Sequence, residues 1–533
     1  MYNEYLPPYR AAIDAGVGSV MAAFNEIDGV PATGNKWLLT DLLRTDWGFN
    51  GFVVSDYTGI EEMIYHGVGD FQQVSAQALN AGLDMDMVAE GFLTTLKKSL
   101  EEGKITIETL DKAVKRILTA KYQLGLFDDP FKYCDDNRAK TEIFTKENRA
   151  FARKVSAESM VLLKNDNHIL PLKKSGTIAL VGPLANTKEN MPGTWSVATK
   201  MENVISFLDG LETVVGDKAN ILYAKGSNLD YDLEFEKLGT MFGRDIPRDG
   251  RTDNQLLNEA LAIASKSDVI VAALGEASEM SGESSSRTNI DIPQVQKDLL
   301  KALLKTGKPV VVVLFTGRPL TLVEENKNVP AILNVWFSGS EAGLAISDVL
   351  FGDVNPSGKL TMTFPRNVGQ IPIYYNHKNT GRPLGNNEGK FEKFKSNYLD
   401  VRNEPLYPFG FGLSYTQFDY SNLKLSTNQM TPKGSIEVSV DIKNSGNFNG
   451  KEVVQLYIRD LVGSITRPVK ELKGFQKIEL EKGETKTITF KLTVNDLKFY
   501  NYDLNFVAES GMFEVFVGTN SDTTMKSEFE LIN

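Results

Sequence analysis

Gly51-Phe-Val-Val-Ser-Asp-Tyr-Thr-Gly59 is a short apolar run that ends in a carboxylate. Phe52 to Ser55 reads as a strand, and Asp56 stands directly after it. In a parallel α/β barrel the reacting groups sit at the C-terminal ends of the strands. A carboxylate there can attack an anomeric carbon or stabilise an oxocarbenium ion. The plainer role for Asp56 is the N-cap of a helix over 60–65, and on position alone the cap is the commoner of the two.

The surroundings of this stretch alternate in type. An apolar run at 17–24 precedes it, then a turn-rich segment and helical spacing over 37–44. A helix closing at Gly82, a period-two run over 83–87 and an amphipathic helix over 110–126 follow. Strands alternating with helices indicate βα units around a parallel sheet. Residues 131–150 are polar and suit a linker, and from Val155 a helix leads into the turn Asn165-Asp-Asn167. Nearly continuous apolar runs at 177–181, 269–274, 310–314 and 331–336 then mark strands covered on both faces. From Phe418 the runs at 435–442, 452–458 and 485–492 alternate with period two, as strands of a β-sandwich do. The boundaries are a partial barrel over 1–130, a linker over 131–154 and an α/β sandwich domain over 155–375. A connecting loop over 376–406 and a β-sandwich over 407–533 complete the chain.

At 533 residues the chain has room for about three domains. Hydrophobic residues make up 41% and charged residues 24%, ample for several cores in a soluble protein. A net charge of -11 disfavours nucleic acid and anionic membrane as partners. No apolar run is long enough to span a bilayer. The start, Met1-Tyr-Asn-Glu-Tyr-Leu-Pro-Pro, does not read as a signal peptide, so localisation is open. Cys134 is the single cysteine, and His66, His168 and His377 are scattered. No transition-metal site and no cofactor are expected, although oxygen ligands for Ca²⁺ leave that ion open.

The wider pattern reverses the odds on Asp56. The stretches at 20–25, 25–32, 38–44, 47–57, 66–68 and 81–87, and the helix end Leu124-Gly-Leu-Phe-Asp-Asp-Pro130, resemble glycoside hydrolase family 3 in order and spacing. Glu158-Ser-Met-Val-Leu-Leu-Lys-Asn-Asp166 and Leu350-Phe-Gly-Asp-Val-Asn-Pro-Ser-Gly-Lys-Leu360 look like the opening and close of the family's α/β-sandwich domain. Tyr407 to Tyr415 and Arg467 to Phe475 resemble its fibronectin type III-like domain. The resemblance implies a fold of class α/β: the C-terminal part of a (β/α)8 barrel, the sandwich domain, then the fibronectin-like β-sandwich. It also implies a retaining, exo-acting β-glycosidase, most simply a β-glucosidase, with Asp56 as nucleophile. Tyr57 replaces the family's usual Trp, and either ring can stack on a sugar.

The family takes its acid/base from a loop of the second domain. Here that loop is Gly275-Glu-Ala-Ser-Glu-Met-Ser-Gly-Glu-Ser-Ser-Ser-Arg287, with Glu276, Glu279 and Glu283. Many family members carry Glu-Gly-x-Asp-Arg, and Glu283 keeps the four-residue spacing to Arg287. Glu283 is therefore the choice, Glu276 the second, and solvated surface carboxylates the plain alternative. Phe24 matches a family position near the sugar but fits barrel core equally. Met21 is expected beside it. His66 suits a helix C-terminus, Asp84 and Asp86 suit supporting roles, and Trp195 and Trp336 suit core. The implied partner is an oligosaccharide or aryl β-glycoside, with room left for a homodimer. The implied location is periplasmic or secreted.

Only 55 residues precede Asp56, where a barrel needs about 250 in all. The family's sugar-binding Lys-His pair does not occur. The expectation is therefore a chain that starts partway through the barrel, binds glucose poorly and hydrolyses little. The alternatives are a non-catalytic carbohydrate-binding or assembly fragment and, among enzymes, a β-xylosidase.

Overall fold

The computed structural model describes residues 1–240, 244–384 and 390–532. Residues 241–243, 385–389 and 533, which belong to the expected sandwich domain, connecting loop and fibronectin-like domain, lie outside the described residues. Two compact units emerge, Met1–Ile143 and Phe144–Asn533.

In the first unit, β1 (Ser19–Ala22) pairs in parallel with β2 (Phe52–Ser55), in the register Met21 to Val54 and Ala22 to Ser55. Between them runs α1 (Trp37–Asp46), a wide helix that buries Leu39, Leu42 and Leu43. The period-two run at 83–87 contributes a single parallel bridge, Val54 to Met85. α2 (Phe71–Ala81) starts at a capping box between Asp70 and Gln73 and stops at Gly82, whose φ of +110° favours glycine. α3 (Ile107–Gln123) is capped by Thr106. Val53, Ile60, Val74, Ala78 and Leu83 form the core on the helix side of the strands. These are the βα units that the alternation predicts.

The second unit holds both remaining domains. Its first helix, α4 (Lys146–Ser159), lies mostly inside the segment read as a linker over 131–154. The Thr145 side chain accepts the Asn148 N–H and starts this helix, so polar composition misled there. Directly after it comes β3 (Val161–Asn165), where the sequence suggested a helix running into a turn. A short buried apolar run cannot be assigned to helix or strand by periodicity alone. β4 (Thr177–Val181), β5 (Asn220–Ala224), β6 (Val269–Gly275), β7 (Val310–Phe315) and β8 (Ala331–Asn334) complete a six-stranded sheet, ordered β3-β8-β7-β6-β4-β5. Only β3 runs antiparallel to its neighbour. Apolar clusters cover both faces, which is why these strands are apolar throughout. α5 (Gln294–Leu304) packs on the second of those faces.

The β-sandwich joins a three-stranded sheet of β9 (Phe418–Leu425), β11 (Ser435–Asn444) and β14 (Thr485–Thr493) to a five-stranded one. The latter comprises β10 (Gln429–Met430), β12 (Gly450–Asp460), β13 (Glu471–Leu480), β15 (Gly511–Gly518) and β16 (Lys526–Leu531). Alternate residues of β11 and β12, from Ile436 to Ile458, share one core with Phe513 and Phe529. Glu158 on α4 ties the sandwich to the preceding domain through Lys451 at 2.6 Å and Lys477 at 2.9 Å. Among the described residues no helix is long and apolar enough to cross a membrane.

Candidate active site

Asp56 follows β2, and its N–H donates to the Ala22 carbonyl at the end of β1 (3.1 Å). Side chains alternate along a strand, so Asp56 shares a face with Val54 and, through the register, with Met21. Ser55 and Ala22 point the other way, into the core. Asp56 does not cap the next helix. That helix, Gly59–Glu62, begins from Thr58 in a left-handed conformation (φ +58°), without a side-chain cap. The Asp56 carboxylate is half-buried and, among the described residues, accepts only the N–H of Tyr57, at 2.7 Å.

A neighbouring carboxylate is held quite differently. The Asp84 side chain is fully buried between Arg44 Nη2 at 2.5 Å and Arg116 Nη1 at 2.7 Å. It also accepts the backbone N–H of Val53 at 2.8 Å, so it fixes β2 three residues before Asp56. Arg44 in turn donates to the carbonyls of Gly51 and Gly82. Burial draws the Arg44 guanidinium below its ordinary value, with Asp84 opposing the shift. This clamp was not apparent from the sequence. Its one signal was a cationic residue, Arg44, next to the buried Leu42 and Leu43 of α1.

Two of the three side chains expected near the sugar are open to solvent. Tyr57 is 60% exposed and Met21 52% exposed, while Phe24 is half-buried. Trp195, read as core, is 74% exposed, because its segment carries no strand or helix to bury it. Trp336 is half-buried, edge-on to Phe364, and donates to the Ser159 carbonyl. His66 faces Glu26 at 3.8 Å.

The second group of carboxylates lies on the loop after β6. Gly275 ends the strand at φ +129°, where a Cβ would come within 1.9 Å of the Phe315 carbonyl oxygen. Gln296 from α5 clamps both the N–H and the C=O of Gly275. The three glutamates then diverge. Glu276 is fully buried, with Arg287 Nη1 at 2.7 Å, Arg318 Nε at 3.0 Å and the Thr316 hydroxyl donating at 2.9 Å. Glu279 is nearly buried, and burial pushes its carboxyl above the ordinary range, partly offset by Arg244. Glu283 is exposed, and its carboxylate has no hydrogen-bond or ion-pair partner among the described residues. Arg287 thus pairs with Glu276, a carboxylate of its own loop. Among the described residues no group of three or more His, Cys, Asp or Glu side chains could hold a metal ion.

A carboxylate at a strand end and a free carboxyl on a loop are the two kinds of group that glycoside hydrolysis needs. The sequence matches the Glycosyl hydrolase family 3 N terminal domain over residues 1–120 and the family 3 C-terminal domain over 160–415. A fibronectin type III-like domain matches over 452–521. The chain is 46% identical over 540 residues to a periplasmic β-glucosidase of Salmonella typhimurium, covering 100% of this chain and 70% of that protein. It is 40% identical to a β-xylosidase of Formosa agariphila, covering 97% and 69%. A β-glucosidase from Listeria innocua, solved in complex with glucose, superposes with a TM-score of 0.90 at 41% identity, covering 100% of this chain and 70% of that one. In sequence along its whole length, and in fold, the chain belongs to glycosyl hydrolase family 3.

Proposed function

We propose that this chain is an exo-acting retaining β-glucosidase that removes terminal β-linked glucose with Asp56 as nucleophile and Glu283 as acid/base. The observation that carries the reading is the state of Asp56: a strand-end carboxylate that, among the described residues, is held by one neighbouring N–H alone. In the first step a carboxylate oxygen of Asp56 bonds to the anomeric carbon. The aglycone oxygen leaves with the proton of Glu283. In the second step Glu283, now ionised, takes a proton from water. The water oxygen displaces Asp56 and releases glucose with its β-configuration retained.

Among the loop carboxyls, Glu283 suits this exchange best. Glu276 is fully buried between two guanidinium groups and accepts from the Thr316 hydroxyl, so its lone pairs are already committed. Glu279 is buried against the loop. Tyr57, Phe24 and Met21 supply exposed or half-exposed apolar surface for a sugar ring in the first unit. The relatives favour glucose, and the β-xylosidase relative makes xylose the second substrate to test. The name of the first relative favours a periplasmic location.

Proton NMR of a β-glucoside digest tests the reaction. The first-formed sugar should be β-glucose, with the α-anomer rising later by mutarotation. Immediate release of α-glucose would rule out retention. Binding of a β-glucan without turnover would favour the non-catalytic alternative.

A further inference from the structure

We propose that Arg318 is the positioning residue of the acid/base loop and that Glu276 is its fixed counter-charge; this rests on reading Glu283 as the acid/base. An exposed carboxyl without a partner has nothing of its own to aim it. Its aim has to come from the backbone on either side. Arg318 Nη2 donates to the carbonyl of Met280, three residues before Glu283, and to that of Ser285, two residues after it, at 2.6 Å. One planar group thus gathers both shoulders of the bend. Between them, Gly282 (φ +117°) and Ser284 (φ +55°) take left-handed conformations on either side of Glu283. The Ser285 hydroxyl lies within reach of the carbonyls of Glu279 and Glu283 and ties the bend across. Thr194 braces the same loop at Ser278 and Ser281.

Arg318 is itself fixed. It follows β7, and its backbone N–H donates to the Thr316 hydroxyl. Its Nε lies 3.0 Å from Glu276 Oε1. The backbone beside it touches the loop directly, since a Cβ on Gly317 would meet Ser281 Oγ at 2.1 Å. Glu276 therefore links the base of the loop to the arginine that holds its tip. A guanidinium this enclosed needs a carboxylate partner, which gives Glu276 a reason to be buried and charged without reacting.

The experiment compares Arg318→Met, Arg318→Lys and Glu283→Ala in the full chain with phenyl β-glucoside and 2,4-dinitrophenyl β-glucoside. Phenol is a poor leaving group that needs the proton, and 2,4-dinitrophenol leaves without it. Arg318→Met should lower kcat/KM for the phenyl substrate by about 10²-fold, the scale on which a misplaced group is felt. For the dinitrophenyl substrate the loss should stay under about tenfold, because proton donation contributes little there. Arg318→Lys should recover part of the phenyl activity. Amide hydrogen exchange of residues 278–286 in Arg318→Met should quicken while β6 and β7 remain protected. Equal losses on the two substrates, or unchanged exchange in the loop, would overturn the positioning role. If Glu283→Ala itself fails to discriminate between the substrates, the acid/base assignment falls, and the inference with it.

Discussion

Asp84 in the first unit and Glu276 in the second are built alike. Each is a fully buried carboxylate gripped by two arginines, Arg44 and Arg116 in one case, Arg287 and Arg318 in the other. Each also accepts a hydrogen bond from a strand or its end, Val53 N–H or the Thr316 hydroxyl. Each unit also holds a much freer carboxyl, Asp56 after β2 or Glu283 on the loop after β6. The difference teaches which acid to suspect. A carboxylate saturated by guanidinium groups has its charge and its geometry fixed, and serves as scaffold. The one with spare lone pairs and solvent access is the one that can change its bonding.

The sharpest way to break this contrast is to remove a free member. Asp56→Ala should abolish turnover of aryl β-glucosides, by about 10⁴-fold or more, as loss of a nucleophile does. Its thermal melt should stay close to the parent's. The clamped members should behave in the opposite sense. Asp84→Ala leaves Arg44 and Arg116 without their counter-charge and should cost about 3–5 kcal/mol of stability. Hydrogen exchange should rise in β2 and α1. Glu276→Ala should cost a similar amount, about 3–5 kcal/mol, with the rise confined to β6, β7 and the loop between 275 and 291. If either variant stays folded and loses only activity, that clamp is chemical rather than structural.

A smaller effect sharpens the comparison from a third carboxylate, Glu158. Burial alone would raise its pKa, but Lys451 and Lys477 overcome that and hold it down at about 2, against an ordinary 4.5. The folded value lies below the unfolded one, so the stabilisation is fully present above pH 4.5. It is lost as pH falls toward about 2. Because the site is partly solvated, the contribution is about 1 kcal/mol. Glu158→Gln should therefore melt lower than the parent near neutral pH, and the two should converge under acid.

The strands of the α/β sheet and of the β-sandwich were legible because burial imposes a period, continuous in one and alternate in the other. β3 and the linker helix were not. Val161-Leu-Leu163 has no distinguishing period, and the Thr145 cap lies in a stretch whose composition suits a loop. Asp56 was legible from its place after an apolar strand and from the motif around it. The two arginine clamps were invisible, since Arg44 and Arg116 lie 40 and 32 residues from Asp84, and Arg318 lies some forty residues after Glu276. Long-range charge pairs leave no period in a sequence. The spacing to Arg287 favoured Glu283 over Glu276 in the sequence, whereas the burial of Glu276 and the exposure of Glu283 left no mark there.

The central claim is that Asp56 bonds to the sugar, and trapping that bond tests it most directly. The protein is incubated with a 2-deoxy-2-fluoro-β-glucoside bearing a good leaving group, digested, and mapped by mass spectrometry. A fluoroglucosyl adduct on Asp56, within the peptide that contains Ser55 and Tyr57, is the predicted result. An adduct on Asp84, Asp86 or any loop glutamate would contradict it.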